Sequence, residues 1–132
     1  MKRIVIYLIF AVLVVSCTQN DGDIGHLFGK WQLREKITAD ESVAYDSIFY
    51  NFQSRVVELQ RVYPEYVVER AWGYFKHNED ELVLTINNRS SSAVEIFQLP
   101  DTLAIFEVQE LTNKKMVLRL DETTYRFRKF GN

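Results

Sequence analysis

Residues 103–130, LAIFEVQELTNKKMVLRLDETTYRFRKF, hold the pattern that decides the fold. Three segments, Leu103–Leu111, Lys115–Leu120 and Thr124–Phe130, are separated by the polar pairs Asn113-Lys114 and Asp121-Glu122. In the last segment Tyr125 and Phe127 share one face, and Arg126 and Arg128 the other. That two-residue period is the signature of a strand with one face buried. Connections this short join antiparallel neighbours, so the stretch predicts three strands linked by hairpins.

The same period recurs upstream. Lys30–Ile37 sets Trp31, Leu33 and Ile37 on one side against Lys30, Gln32, Arg34 and Lys36, and Ile48, Tyr50 and Phe52 alternate within Tyr45–Gln53. Arg55–Val62 is β-branched and amphipathic, Pro64 breaks the pattern, and Val67–Lys76 carries Trp72 and Tyr74 offset against Ala71 and Phe75. His77–Asp80 is turn chemistry. Leu82, Leu84 and Ile86 alternate in Asp80–Asn87, and Ala93–Gln98 reads as one more strand after a polar loop. No stretch keeps a helical period. Eight or nine short strands with hairpin-length turns predict an all-β domain, a small antiparallel up-and-down β-barrel of about eight strands. Closure removes the free edges that an open sheet must otherwise protect.

At the amino terminus Lys2-Arg3 precede the apolar run Ile4 to Val15, in the order of a secretory signal. As a helix the run covers ~18 Å, well short of a hydrocarbon core ~30 Å thick. Val14-Val15-Ser16-Cys17 resembles a bacterial lipobox, with an aliphatic residue three before the cysteine and a small one just before it. The resemblance implies cleavage after Ser16 and a diacylglycerol on the Cys17 thiol. An ordinary secretory cut at the same place is the plainer alternative. Residues 1–16 are thus expected to be a cleaved signal, 17–26 a lipidated cysteine with a flexible tether, and 27–132 the barrel domain. Cys17 is the only cysteine. Once it is acylated the domain has no disulfide, and packing alone must stabilise it.

Losing the signal removes Lys2 and Arg3 and leaves 14 basic against 18 acidic side chains, a net charge of −4. No basic stripe is available to displace phosphate counterions, which argues against a nucleic-acid partner. The expected partners are the membrane, through the lipid on Cys17, and a small apolar ligand.

Two motifs resemble a known family. Gly29-Lys30-Trp31 at the first strand is similar to the G-x-W of lipocalin-like (calycin) proteins. Residues from Phe106 to Leu118, followed by Tyr125 to Phe130, resemble the closing strands of small lipocalin-like lipoproteins of Bacteroidota. The likeness runs over roughly residues 27 to 130. It implies that Trp31 plugs the closed end of the barrel, with Arg126 or Arg128 packed over its ring. It also implies an outer-membrane lipoprotein on the periplasmic or cell-surface face. Asp21 and Asp23, just after Cys17, resemble the acidic surface-export signals of that group, while their plain reading is a flexible tether between lipid and domain. Asp46-Ser47-Ile48 and Asp101-Thr102-Leu103 match its O-glycosylation pattern, making Ser47 and Thr102 candidate sites.

Chemistry-bearing constellations are missing from the sequence. His26 and His77 are the only histidines, and neither stands at a metal-ligand spacing. No nucleophile elbow, P-loop or zincin motif occurs. Glu79-Asp80-Glu81 reads as a solvated hairpin tip, with a weak Ca²⁺ site the alternative. The expectation is a non-enzymatic protein without cofactor or metal. Two functional readings remain. One is a binding module holding a small apolar or amphiphilic ligand against Tyr50, Phe52, Trp72, Tyr74 and Phe106. The other is an interaction, scaffold or inhibitor protein with a filled barrel, working through an exposed apolar patch on its outer face.

Overall fold

A computed structural model describes residues 25–87 and 92–131. The signal run, Cys17 and nearly all of the tether lie outside the described residues. The period-two segments become nine strands: β1 (Gly29–Ile37), β2 (Ser42–Ala44), β3 (Ile48–Gln53), β4 (Val56–Val62), β5 (Val68–Asn78), β6 (Glu81–Ile86), β7 (Leu103–Leu111), β8 (Lys115–Leu120) and β9 (Thr123–Lys129). Among the described residues a 3-10 turn at Pro64–Tyr66 and one short α-helix, α1 (Ala93–Ile96), interrupt them. Every pairing is antiparallel, and β9 returns to β1. The result is an eight-stranded closed barrel with β2 as an addition.

β2 has no counterpart among the expected strands. It and β3 occupy one edge of β1, β2 opposite Glu35–Ile37 and β3 opposite Gly29–Gln32. The Tyr45 N–H donates to the Arg34 carbonyl between them. They are two halves of one strand broken at Tyr45–Ser47.

Tight turns carry the meander. Gln53 pairs with Val56 and Leu120 with Thr123, leaving Ser54-Arg55 and Asp121-Glu122 as two-residue loops. Ser54 and Asp121 take positive φ, the conformation such hairpins demand. Register then sorts the side chains. Trp31, Leu33, Ile48, Tyr50, Phe52, Val57, Leu59, Leu82, Leu84, Phe106, Met116, Leu118, Tyr125 and Phe127 are buried in one core. Gly73 also faces inward. A Cβ there would stand 2.4 Å from the Thr85 carbonyl oxygen, so β5 can lie this close to β6 only with glycine. Among the described residues this core runs from Leu27 to Phe127.

Two expectations about strands are corrected. A bulge between Leu33 and Glu35 shifts the β1–β9 register, so Lys36 faces Tyr125 and Ile37 faces Thr124. Directly opposed residues share a face. Lys36 therefore turns inward at the mouth and Ile37 outward, the reverse of the simple alternation. Ala93–Gln98, expected as a strand, is mostly α1. Ala93 and Phe97 stand one helical turn apart and both are buried, a spacing that over six residues is indistinguishable from a strand. The barrel closes without it, which leaves the segment free to cap the open end.

Candidate functional site

The base of the barrel is built around Trp31. Its ring is fully buried, and its indole N–H donates to the Leu27 carbonyl at 2.9 Å. The cation over the ring is Lys129, with Nζ 4.3 Å from the ring centroid. The same Nζ donates to the carbonyls of His26, at 3.0 Å, and Phe28. Arg126 and Arg128, expected in this role, are both on the outer wall, Arg126 beside Glu35 at 3.9 Å. The alternation of β9 gives the reason: the residue sharing a face with Tyr125 and Phe127 is Lys129. Gly29 serves this plug directly. Its φ is +118°, and a Cβ would meet Lys129 Nζ at 3.1 Å, so any other residue would be strained and would crowd the lysine. Burial pulls the Lys129 pKa down.

The mouth is stoppered. Ala93, Phe97 and Leu99 from the β6–β7 connection are buried over the core. Tyr50 Oη donates to the Phe97 carbonyl at 2.7 Å, Arg61 to the Ile96 carbonyl at 3.0 Å, and Lys36 Nζ to Gln98 Oε1 at 3.3 Å. Tyr50 comes from β3, Arg61 from β4 and Lys36 from β1, so three strands hold the segment down. Burial, then repulsion from Tyr125, raises the Tyr50 pKa well above its ordinary value. Burial, then Tyr45, pushes Tyr125 up to about 12. Both stay neutral across physiological pH.

Between base and stopper the interior is packed. Trp31, Leu33, Phe52, Val57, Leu59, Leu82, Leu84, Met116 and Leu118 expose none of their surface. A chamber holding even one water would leave exposed wall on some of them. Tyr50, Phe52 and Phe106 do lie inside, as packing residues in edge-on or tilted ring pairs with Phe127, Phe75 and Tyr125. Trp72 and Tyr74 do not join them. Both are on the outer wall, 53 % and 68 % exposed, because Ala71, Gly73 and Phe75 take the inward positions of β5.

That outward turn builds a surface the sequence did not reveal. Tyr74 opposes Thr85 and Thr85 opposes Leu103, while Val83 opposes Ile105 in the next row. Leu103 and Ile105 are more than half exposed. With Trp72 they form an apolar patch across β5, β6 and β7. An open groove of about 640 Å³ lies at its base side, lined by Arg55, Tyr74, Lys76, His77 and Val83 among others. Another, about 540 Å³, runs over Leu103, Ile105, Glu107 and Arg119.

The candidate glycosylation sites fall near the mouth. Ser47 sits in the break between β2 and β3, and Thr102 just before β7, both half-buried. The Thr102 N–H donates to Asp101 Oδ1 at 2.7 Å. Among the described residues no three His, Cys, Asp or Glu side chains gather to hold a metal. Glu79 and Asp80 are an exposed hairpin tip, and Glu81 opens β6.

Comparison with known proteins agrees with this geometry. A family model described as a lipocalin-like domain matches residues 11–130. The crystal structure of a lipocalin-like protein from Bacteroides uniformis is 28 % identical, with a TM-score of 0.73, over 80 % of this chain and 100 % of its own. That of an uncharacterized protein from Bacteroides eggerthii is 34 % identical, with a TM-score of 0.71, over 78 % of this chain and 98 % of its own. No protein of curated function matches. The lipocalin-like fold is typically a binding fold rather than a catalytic one. The barrel closed by β9 on β1, the Trp31 plug and the match over residues 11–130 together place this chain in the lipocalin-like domain family.

Proposed function

We propose that the chain is a lipid-anchored lipoprotein of the cell envelope, attached to the outer membrane through Cys17. In this reading its barrel is a non-catalytic binding module that engages a protein partner through the outer wall of β5–β7. The observation that carries it is the pairing of a filled, stoppered interior with the exposed patch of Trp72, Tyr74, Leu103 and Ile105. Exposed aromatics anchoring an interface contribute more than their number suggests. Ser47 and Thr102 remain proposed O-glycosylation sites.

Two experiments test this. Metabolic labelling with a clickable palmitate should mark the wild-type protein and fail with Cys17→Ala. A photocrosslinking residue at Ile105 should capture one discrete protein in cells, and Trp72→Ser should abolish the capture. The same residue at Arg126, on the opposite wall, should capture nothing. Equal capture from both walls would refute the assignment of the surface.

A second reading keeps a small apolar or amphiphilic ligand inside the barrel. One observation favours it: the stopper is a single short segment held at three side-chain hydrogen bonds, so its release would open the space above Tyr50. Stoichiometric uptake of a fatty-acid probe by the wild-type protein, insensitive to Trp72→Ser, would establish this reading instead.

A further inference from the structure

The mouth of the barrel is acidic, whereas the base is divided, with exposed Glu79, Asp80 and Glu81 at the β5–β6 turn and cations along the arc of β8, β9 and β1. At the mouth, Asp40, Glu41, Glu65, Asp101, Asp121 and Glu122 lie on exposed turns. Among the described residues there, Arg61, Lys36 and Arg119 donate to Ile96, Gln98 and Asp121 respectively. At the base, along the arc of β8, β9 and β1, the exposed groups are Lys114, Lys115 and Arg128, with Lys30 half-exposed beside them. Lys115 and Arg128 stand directly opposite one another in the β8–β9 register. Like charges so placed repel. The ion pairs found among the described residues, Arg70 with Glu58 and Arg126 with Glu35, lie elsewhere, so no carboxylate within 4 Å relieves this repulsion.

Two large rings belong to the same arc. Phe28 is 52 % and Phe130 47 % exposed, and Lys30 Nζ lies 5.3 Å from the Phe130 ring centroid. Basic residues around exposed aromatics are the composition of a membrane-interface contact. The chain also enters at this end, since Leu27 is packed beneath Trp31. Gly25 follows Cys17 by eight Cα-to-Cα steps, a reach of at most ~29 Å when fully extended. A lipid on Cys17 would therefore hold the base within ~29 Å of the bilayer.

We propose that the base is a membrane-docking face. Phe28 and Phe130 enter the interface of an anionic bilayer, and Lys30, Lys114, Lys115 and Arg128 lie at the level of its phosphates. The direction of docking rests on the Cys17 anchor. The surface itself does not, and can be tested without a lipid.

The test uses the chain from Thr18 onward, which contains every core residue found among those described, with vesicles of phosphatidylcholine alone and of phosphatidylcholine mixed with phosphatidylglycerol. Sedimentation should show binding to the anionic vesicles only, weakening as salt is raised. The double variant K115E/R128E should lower the partition at least tenfold, since each basic residue near such a surface is worth roughly fivefold. D121N/E122Q, at the mouth, should leave it unchanged. Circular dichroism confirms that each variant is folded. Trp72 is half-way along the outer wall, so its acrylamide quenching should be the same with and without vesicles. Absence of binding, binding indifferent to lipid charge, or protection of Trp72 would each overturn the proposal. Failure here leaves the palmitate result on Cys17 standing, and failure of that labelling leaves the vesicle result standing.

Discussion

Truncating the stopper, Phe97→Ala, tests whether the barrel is filled by its own chain. Phe97 is 1 % exposed, and Leu99 beside it 4 %. Burying a side chain of this size contributes about 1.5–3 kcal/mol by transfer alone. The surrounding strands are tied in register and collapse little, so a cavity term adds to this. The total expected loss is about 3–5 kcal/mol. A domain of this length has about 5–15 kcal/mol of stability, so the variant should still fold. The Phe97 carbonyl that receives Tyr50 Oη is retained, so the loss reports the ring rather than the hydrogen bond. Urea unfolding should show a lower midpoint with an unchanged slope. Adding benzene should raise the midpoint of Phe97→Ala and leave that of the wild type where it was, because an apolar cavity left by truncation can accept a small aromatic. A loss below about 1 kcal/mol would mean that the ring is not part of the core. Equal stabilisation of the wild type by benzene would mean that a chamber already exists. Either result refutes the filled barrel.

Other substitutions probe the base and the buried tyrosines. Lys129→Met keeps the apolar stem but loses the cation over Trp31 and the hydrogen bonds to His26 and Phe28; it should cost about 1–3 kcal/mol and alter the near-ultraviolet dichroism of Trp31. Arg126→Ala and Arg128→Ala should leave that signal unchanged. Tyr50→Phe should destabilise by about 1–3 kcal/mol, because the Phe97 carbonyl loses its buried donor. In alkali the tyrosines set the sign. Tyr125 ionises at about 12 in the folded protein against 10.0 when unfolded, so between these values the folded state binds more protons. Its contribution is complete below pH 10 and is lost as pH rises towards 12. Denaturation midpoints should therefore fall in that window, and Tyr125→Phe should flatten the decline.

Local pattern along the chain decided what depends on near neighbours. Period-two alternation marked Leu82, Leu84 and Ile86 as one buried face, and the polar pair Asp121-Glu122 as a two-residue turn, because side-chain direction and turn conformation are local properties. The strands and their antiparallel order followed, and with them the closed barrel. Cys17 and its expected lipid also rest on sequence alone. The face of β5 could not be decided locally. Trp72 and Tyr74 on one side and Ala71 and Phe75 on the other look equally suited to a core. Contact with β6 decides it, since only Gly73 fits against the Thr85 carbonyl. The inward turn of Lys36 and the outward turn of Ile37 likewise depend on a bulge in the β1–β9 pairing. Lys129 lies between these cases. The alternation that set Tyr125 and Phe127 inward pointed to it two residues later, but the ring it covers is almost a hundred residues away in the chain. Whether Ala93–Gln98 became a strand or a stopper was also a question of closure. Eight strands already satisfied one another's hydrogen bonds, and the remaining apolar side chains found burial only over the open end.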